Sequence, residues 1–256
     1  MFQPHSILWH YLWVAPNLLL ALLAGLLWKL DLHREFRAFF VYAWFQAIQW
    51  AVLYPMDLIS SIPALDFWRV CTGSLLLESI IVLVLISDIF ASVFGSYAAL
   101  AQLGKNLIRW AGAVLLVTAT AIGTRAPVNE QVRLVSASHI MEETMNLMVA
   151  GLILLLFISA AYFRLAWKRG IFGIALGLGV NACIYLATWA ILANGGLPES
   201  ARNVLNLVNM ATSHVVVMAW FYYLLVPAKL TARHLETLPE NNLALWNREL
   251  ERLLQQ

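Results

Sequence analysis

Charged side chains are scarce in this sequence, and their scarcity excludes most classes of protein. Lysine and arginine contribute 16 residues and aspartate and glutamate 14, so 12% of the 256 residues are charged, while 62% are hydrophobic. A soluble globular domain carries roughly a quarter charged residues. A water-soluble protein is therefore excluded. The segments between the apolar stretches are too short for a soluble catalytic or nucleotide-binding domain, and we expect no nucleic-acid partner.

Cysteine and histidine are also few, which limits metal and cofactor sites. The two cysteines, Cys71 and Cys183, lie in different apolar stretches, so we expect free thiols rather than a disulfide. The histidines do not cluster on one late stretch as they do in seven-span metal hydrolases. The last stretch lacks a lysine for a retinal Schiff base and the Asn-Pro-x-x-Tyr pattern of heptahelical receptors. We therefore predict no metal, no cofactor and no recognised catalytic motif.

Seven apolar stretches, by contrast, are each long enough to cross a bilayer, which takes about 20 residues in a helix. They cover residues 8–28, 38–54, 67–93, 106–123, 134–163, 170–192 and 202–226. The sequence predicts an all-α polytopic membrane bundle of seven transmembrane helices over residues 1–228, and a tail over residues 229–256. No basic region precedes the first stretch, and no signal-peptide cleavage pattern follows it. We therefore expect an uncleaved span.

The distribution of positive charge predicts the orientation, because short cytoplasmic loops carry an excess of lysine and arginine. Twelve of the 16 basic residues fall in the first, third and fifth loops and the tail. They are Lys29, Arg34, Arg37, Lys105, Arg109, Arg164, Lys168, Arg169, Lys229, Arg233, Arg248 and Arg252. The other side has only Arg69, Arg125, Arg133 and Arg202. Tryptophan and tyrosine gather near both ends of the spans and agree with this assignment. The N-terminus is therefore predicted outside and the C-terminus in the cytoplasm.

The tail contains a pattern typical of an amphipathic helix. Thr237 and Glu240, with Pro239 between them, resemble a capping box. An apolar stripe follows at intervals of three and four residues, formed by Leu243, Trp246, Leu250 and Leu253. We interpret this segment as a helix that packs on its own bundle, lies on the membrane or binds a cytoplasmic partner.

Polar residues inside the spans are the functional candidates, since ionisable groups at membrane depth are costly. Glu78 lies near the middle of the third span. In the fifth, His139, Glu143 and Asn146 share one helical face beside Glu142. The seventh carries a stripe at intervals of four, three and four residues, which runs through Arg202, Asn206, Asn209 and Ser213 and is followed by His214. The ligand-binding candidates are Glu78, His139, Glu143, Asn206, Asn209 and His214. The alternatives are a wet outer vestibule for the acidic group and hydrogen bonds between helices for the amides and hydroxyls.

Further polar and small residues can likewise be interpreted as ligand-binding groups or as contacts between helices. Gln46 and Gln49 lie in the second span and Asn17 follows Pro16 in the first, where a neighbouring side chain can satisfy a carbonyl that proline leaves free. Gly173 and Gly177 form a small-xxx-small pair in the sixth span. We expect this pair to bring two helices of the same chain close together.

Two functions remain open at this level. The first is a sensor or receptor that binds a small ligand in an outward-facing polar pocket between spans three, five and seven, with the signal passing to a partner at the C-terminal helix. The alternative is a membrane-embedded enzyme acting on a lipid or isoprenoid, with Glu78 or the pair Glu142 and Glu143 as general acid. A transporter is a third possibility, although many transporter folds contain duplicated halves and this chain has no detectable repeat.

Three short stretches resemble a family of seven-span bacterial inner-membrane proteins. They are YAWFQAIQW at residues 42–50, SDIFASVF at 87–94 and GIFGIALGLG at 170–179. The resemblance implies the architecture and the bacterial cytoplasmic membrane as the location. It implies no reaction and no ligand.

Overall fold

The computed structural model describes residues 6–59, 61–95, 97–123, 130–193, 198–226, 248, 251 and 252. Within these residues the chain is all helical. The α-helices are α1 (Ile7–Lys29), α2 (Arg37–Leu58), α3 (Ala64–Phe94), α4 (Ala98–Gly123), α5 (Glu130–Tyr162), α6 (Arg169–Ala193) and α7 (Glu199–Leu225), with a short 3-10 helix at Leu32–Arg34. Each predicted span corresponds to one of these seven helices. Most boundaries differ by a few residues because the helices continue past the apolar stretch into their loops.

Five of the helices are long and apolar enough to cross a membrane, namely α1, α3, α6, α7 and residues Leu134–Tyr162 of α5. Their outward faces carry large exposed apolar side chains, among them Leu22, Ile80, Leu154 and Val215. Such a surface is compatible with a lipid bilayer and not with water. α2 and α4 are not among these five, so the seven-span topology stays a prediction.

Six helices form a closed ring. α1 contacts α2, α2 contacts α3, α3 contacts α5, α5 contacts α6, α6 contacts α7, and α7 returns to α1. α4 lies outside the ring against α3 and α5. Leu23, Leu27, Ile86, Leu156 and Ala175 are buried where the ring helices pack together. The ring encloses space along its axis, and that space contains the candidate site.

Contacts between loops show that successive helices are antiparallel. At one end, the Lys168 ammonium lies 3.0 Å from the Glu35 carboxylate, which joins the fifth loop to the first. The Arg169 guanidinium stacks 4.6 Å from the centre of the Tyr222 ring, near the end of α7. At the other end, the Tyr54 hydroxyl lies 3.3 Å from Nδ1 of His10. The basic first and fifth loops thus share one end of the bundle, as the charge pattern predicts.

The small-xxx-small pair of α6 faces α7 of the same chain. A Cβ atom at Gly173 would lie 2.3 Å from Cβ of Tyr223, and one at Gly177 would lie 2.3 Å from Nε1 of Trp220. Real Cβ contacts are never this short, so only glycine permits the two helices to approach here. The expectation of packing within the chain is confirmed.

Two further expectations concern the thiols and the tail. Cys71 and Cys183 are both free, as predicted. The predicted amphipathic helix falls almost wholly outside the described residues, which include only residues 248, 251 and 252 of that segment. That helix stays a prediction.

Candidate functional site

A cavity of about 370 Å³ lies inside the helix ring, and all six ring helices contribute to its wall. This volume is within the roughly 300–1,000 Å³ typical of small-molecule sites. Its polar and aromatic wall is formed by Trp13, Asn17, Tyr42, Gln46, Gln49, Glu78, Glu142, Asn181, Ser213 and Trp220. Its apolar wall is formed by Leu12, Pro16, Leu20, Leu75, Met210, Val216 and Val217. The polar groups therefore face inward, while the outer surface of the bundle is apolar.

Glu78 is held by two glutamine side chains from the neighbouring helix. Nε2 of Gln46 donates to its Oε1 at 2.6 Å, and Nε2 of Gln49 approaches its Oε2 at 3.3 Å. Nε2 of Gln49 also donates to Oγ of Ser74 at 3.0 Å, and that hydroxyl donates to the Cys71 carbonyl. Both carboxyl oxygens thus have an amide partner, which fixes the carboxyl group against the α2 side of the cavity.

A second carboxyl group reaches the cavity from α5. Glu142 lines the wall and lies close enough to Glu78 for the two groups to interact electrostatically. The Tyr185 hydroxyl is near Glu142, yet it makes no hydrogen bond within the described part of the chain. The cavity therefore contains two acidic groups on the neighbouring helices α3 and α5, and no lysine, arginine or histidine is among its described lining residues.

The α6 and α7 side of the cavity offers amide, hydroxyl and indole groups. Oγ of Ser213 donates to Oδ1 of Asn181 at 3.1 Å, and both residues line the cavity. Trp220 is 4% exposed, and its Nε1 has no hydrogen-bond partner among the described residues. This nitrogen packs against α6 at Gly177, so Trp220 contributes its ring and not a hydrogen-bond donor to the wall.

A smaller cavity of about 150 Å³ adjoins the first one between α1 and α2. It shares Trp13, Asn17, Gln46 and Gln49 with the central cavity and extends to Trp50 and Leu53. Nε1 of Trp50 is also buried without a partner in the described structure. The extension leads toward the end of the bundle where Tyr54 meets His10.

The structure brings only one of the six candidate residues into the cavity. Glu78 lines it. Asn209 accepts a hydrogen bond from Oγ1 of Thr188 at 3.0 Å and so connects α7 to α6, which is the helix-contact alternative. The side chain of Asn206 is exposed.

The other three candidates also lie apart from Glu78. His139 is exposed and packs between the rings of Trp68 and Trp189. Glu143 is exposed. His214 lies 5.8 Å from the Tyr11 ring, and its Nδ1 is buried with no partner in the described residues. Glu78, Glu143 and His214 therefore do not form the wall of one shared pocket.

The structure places Glu142 where the sequence pattern suggested Glu143. Successive helical residues are about 100° apart, so only one member of this pair can face the ring interior. Ser138, Met145 and Val149 are buried and lie on the face that includes Glu142. The four-then-three spacing of His139, Glu143 and Asn146 does not coincide with the lining of this cavity, because His139 and Glu143 are exposed and Asn146 donates its Nδ2 to the Glu142 carbonyl at 2.9 Å.

Among the described residues, no group of three or more histidine, cysteine, aspartate or glutamate side chains could hold a metal ion.

Comparisons with known proteins assign no family or function to the chain. No protein-family model matches the chain, and neither a curated protein nor a solved structure matches it. The resemblance to bacterial seven-span proteins therefore stays an expectation.

Proposed function

We propose that this protein is a sensor or receptor of a bacterial cytoplasmic membrane that binds a small ligand in its central cavity. The observation that supports this proposal is the polar cavity inside the helix ring, which has the volume of a small-molecule site and is built around the anchored Glu78 carboxyl group. A bundle whose polar groups served only to join helices would pair them with each other and leave little open space. Here Glu78 and Glu142 line open space instead.

The shared wall of the cavity offers a route for a signal. Because six helices contribute side chains, a ligand would contact α2 and α3 on one side and α6 and α7 on the other. A ligand that binds one arrangement of these helices more tightly shifts the population toward it. In the predicted orientation, with seven spans and the C-terminus in the cytoplasm, the change would reach a cytoplasmic partner through the end of α7 and the tail.

A thermal-shift screen tests the proposal. Purified protein is heated with each compound of a broad small-molecule library, and binding raises the apparent melting temperature because only the folded state binds. A ligand present at 100 times its Kd adds about 2.7 kcal/mol. The shift should fall in Glu78→Gln and persist in His214→Ala, since His214 does not line the cavity. The proposal is wrong if no compound shifts the wild type, or if Glu78→Gln responds as strongly as the wild type.

A membrane-embedded enzyme is the second candidate, and one observation favours it. Glu78 and Glu142 approach each other beside an apolar wall that includes Leu75 and Met210, an arrangement suited to proton transfer to an apolar substrate. Lipid extracted with the purified protein and identified by mass spectrometry tests this function. Enrichment of an isoprenoid, with a changed product pattern in Glu78→Gln, would support it. Bulk phospholipid alone, unaltered by the substitution, would exclude it.

A further inference from the structure

The charge of the cavity wall identifies the class of ligand, an inference that rests on the proposed ligand-binding function. Two carboxyl groups, Glu78 and Glu142, line the same cavity, and the described lining has no basic side chain to balance them. An opposite charge within about 4–6 Å stabilises the ionised form of a carboxyl group. The described wall supplies no such charge, so a cationic ligand would find two carboxyl groups without a competing cation.

The hydrogen bonds of Glu78 leave it able to receive a ligand. An ionised carboxylate has about four acceptor positions. Gln46 and Gln49 occupy one on each oxygen, at 2.6 Å and 3.3 Å. The remaining positions are available on a group that already lines the cavity. The two amides therefore serve as a support that holds the carboxyl group in one orientation.

Aromatic rings complete a wall suited to an organic cation rather than to a metal ion. Trp13, Tyr42 and Trp220 all line the cavity. The Tyr42 and Trp220 rings meet edge to face at 6.1 Å, and Phe39 supports Trp220 from behind at 5.0 Å. Ring faces attract ammonium groups, and cages of aromatic residues are a common way to bind them.

We propose that the central cavity binds a small organic ammonium ion. The ammonium group pairs with Glu78 and Glu142 and lies against the aromatic rings. The cavity of about 370 Å³ limits the ligand to a compact molecule.

Probes that share one skeleton and differ in charge test the ligand class. They are 2-amino-1-phenylethanol and its N-trimethyl form as cations, 1-phenylethane-1,2-diol as the neutral analogue and mandelate as the anion. Binding to the full-length protein in lipid nanodiscs is measured by calorimetry. We expect binding of a cation at least about tenfold tighter than that of the diol, since hydrogen bonds between charged groups are stronger than those of a neutral hydroxyl. Mandelate should not bind.

Three glutamine variants locate the binding site. Glu78→Gln and Glu142→Gln should each weaken binding of the cation by about tenfold or more. Glu143→Gln is the matched control, because it changes the same residue type one position away on α5 where the side chain is exposed. It should bind as the wild type does. A circular dichroism spectrum and a melting curve for each variant separate lost binding from lost folding.

The outcomes distinguish this inference from the proposed function. If the diol or mandelate binds as tightly as the cations, or if cation binding survives the loss of both Glu78 and Glu142, the ligand is not an ammonium ion. The cavity could then still bind a ligand found by the broad screen. If neither these probes nor any library compound binds, both proposals are wrong.

Discussion

The close approach of α6 and α7 at Gly177 makes one substitution diagnostic of the fold. In Gly177→Ala, the new Cβ would lie 2.3 Å from Nε1 of Trp220, 2.8 Å from its Cε2 and 2.9 Å from Cγ1 of Val216. The indole is 4% exposed and packed against Phe39, so it cannot rotate away freely. Either α6 moves away from α7, or the indole moves into the cavity.

The size of the effect follows from the cost of overpacking, which is about 1–3 kcal/mol for an extra methyl group in a packed interior. For a chain of this length, each kcal/mol changes the melting temperature by about 2–4 °C. We therefore expect Gly177→Ala to lower the apparent melting temperature by roughly 2–12 °C. Tryptophan fluorescence during heating of the detergent-purified protein measures this temperature through all 11 tryptophans of the chain.

Gly151→Ala is the matched control. Gly151 lies in α5, and a Cβ there would meet no atom within 4 Å. Alanine is favoured over glycine inside a helix by up to about 1 kcal/mol, so the melting temperature of this variant should stay unchanged or rise slightly. If Gly177→Ala is as stable as Gly151→Ala, then α6 and α7 do not meet at this point. The wall of the cavity that includes Trp220 would then be wrongly placed.

Three further predictions address topology and interhelical contacts. In a variant without the native cysteines, a single cysteine in place of Arg202 should react with a membrane-impermeant maleimide in intact cells. A single cysteine in place of Arg34 should react only after the cells are permeabilised. The reverse result would refute the orientation with the N-terminus outside. Lys168→Ala should lower the free energy of unfolding by no more than about 1 kcal/mol, because the ion pair with Glu35 is exposed. A fall of more than about 4 °C in melting temperature would contradict this expectation. Ser213→Ala removes one hydrogen bond between α6 and α7. The free energy of unfolding, measured by reversible unfolding in mixed micelles, should fall by about 0.6 kcal/mol. A fall of more than about 2 kcal/mol would show that Ser213 does more than join two helices.

The helices were predictable because length and apolarity alone determine them. A run of about 20 apolar residues has no structure other than a helix that satisfies its backbone in lipid. Proline and glycine then mark the ends, as Pro63 and Pro198 do by preceding α3 and α7. The orientation of each helix about its own axis was harder to predict. Helices of soluble proteins bury one apolar stripe, but here Leu147 and Leu154 are exposed to the surroundings while Leu152 and Leu156 are buried.

Polar residues therefore indicate which face of each helix points into the bundle. Two polar residues that can pair between helices indicate this better than a single one. Two residues at equal distances from the turn of an antiparallel helix pair lie at the same depth. Gln49 precedes Ser61 by 12 residues and Ser74 follows it by 13, and these two side chains are hydrogen bonded. Glu78 follows Ser61 by 17 residues, so the rule points to residue 44, and Gln46 is the amide side chain of α2 nearest to that position.

The same rule fails for Glu142 for a physical reason. Its cavity neighbour Glu78 is not on an adjacent helix in the chain, because α4 intervenes in sequence and lies outside the ring. The depth of a residue along a helical hairpin does not indicate which helices pack together when they are not consecutive in the chain. Only the packing of α3 directly against α5 brings the two glutamates to one cavity. The acidic character of that cavity, on which the proposed ammonium ligand depends, is therefore a property of the tertiary arrangement and not of any single span.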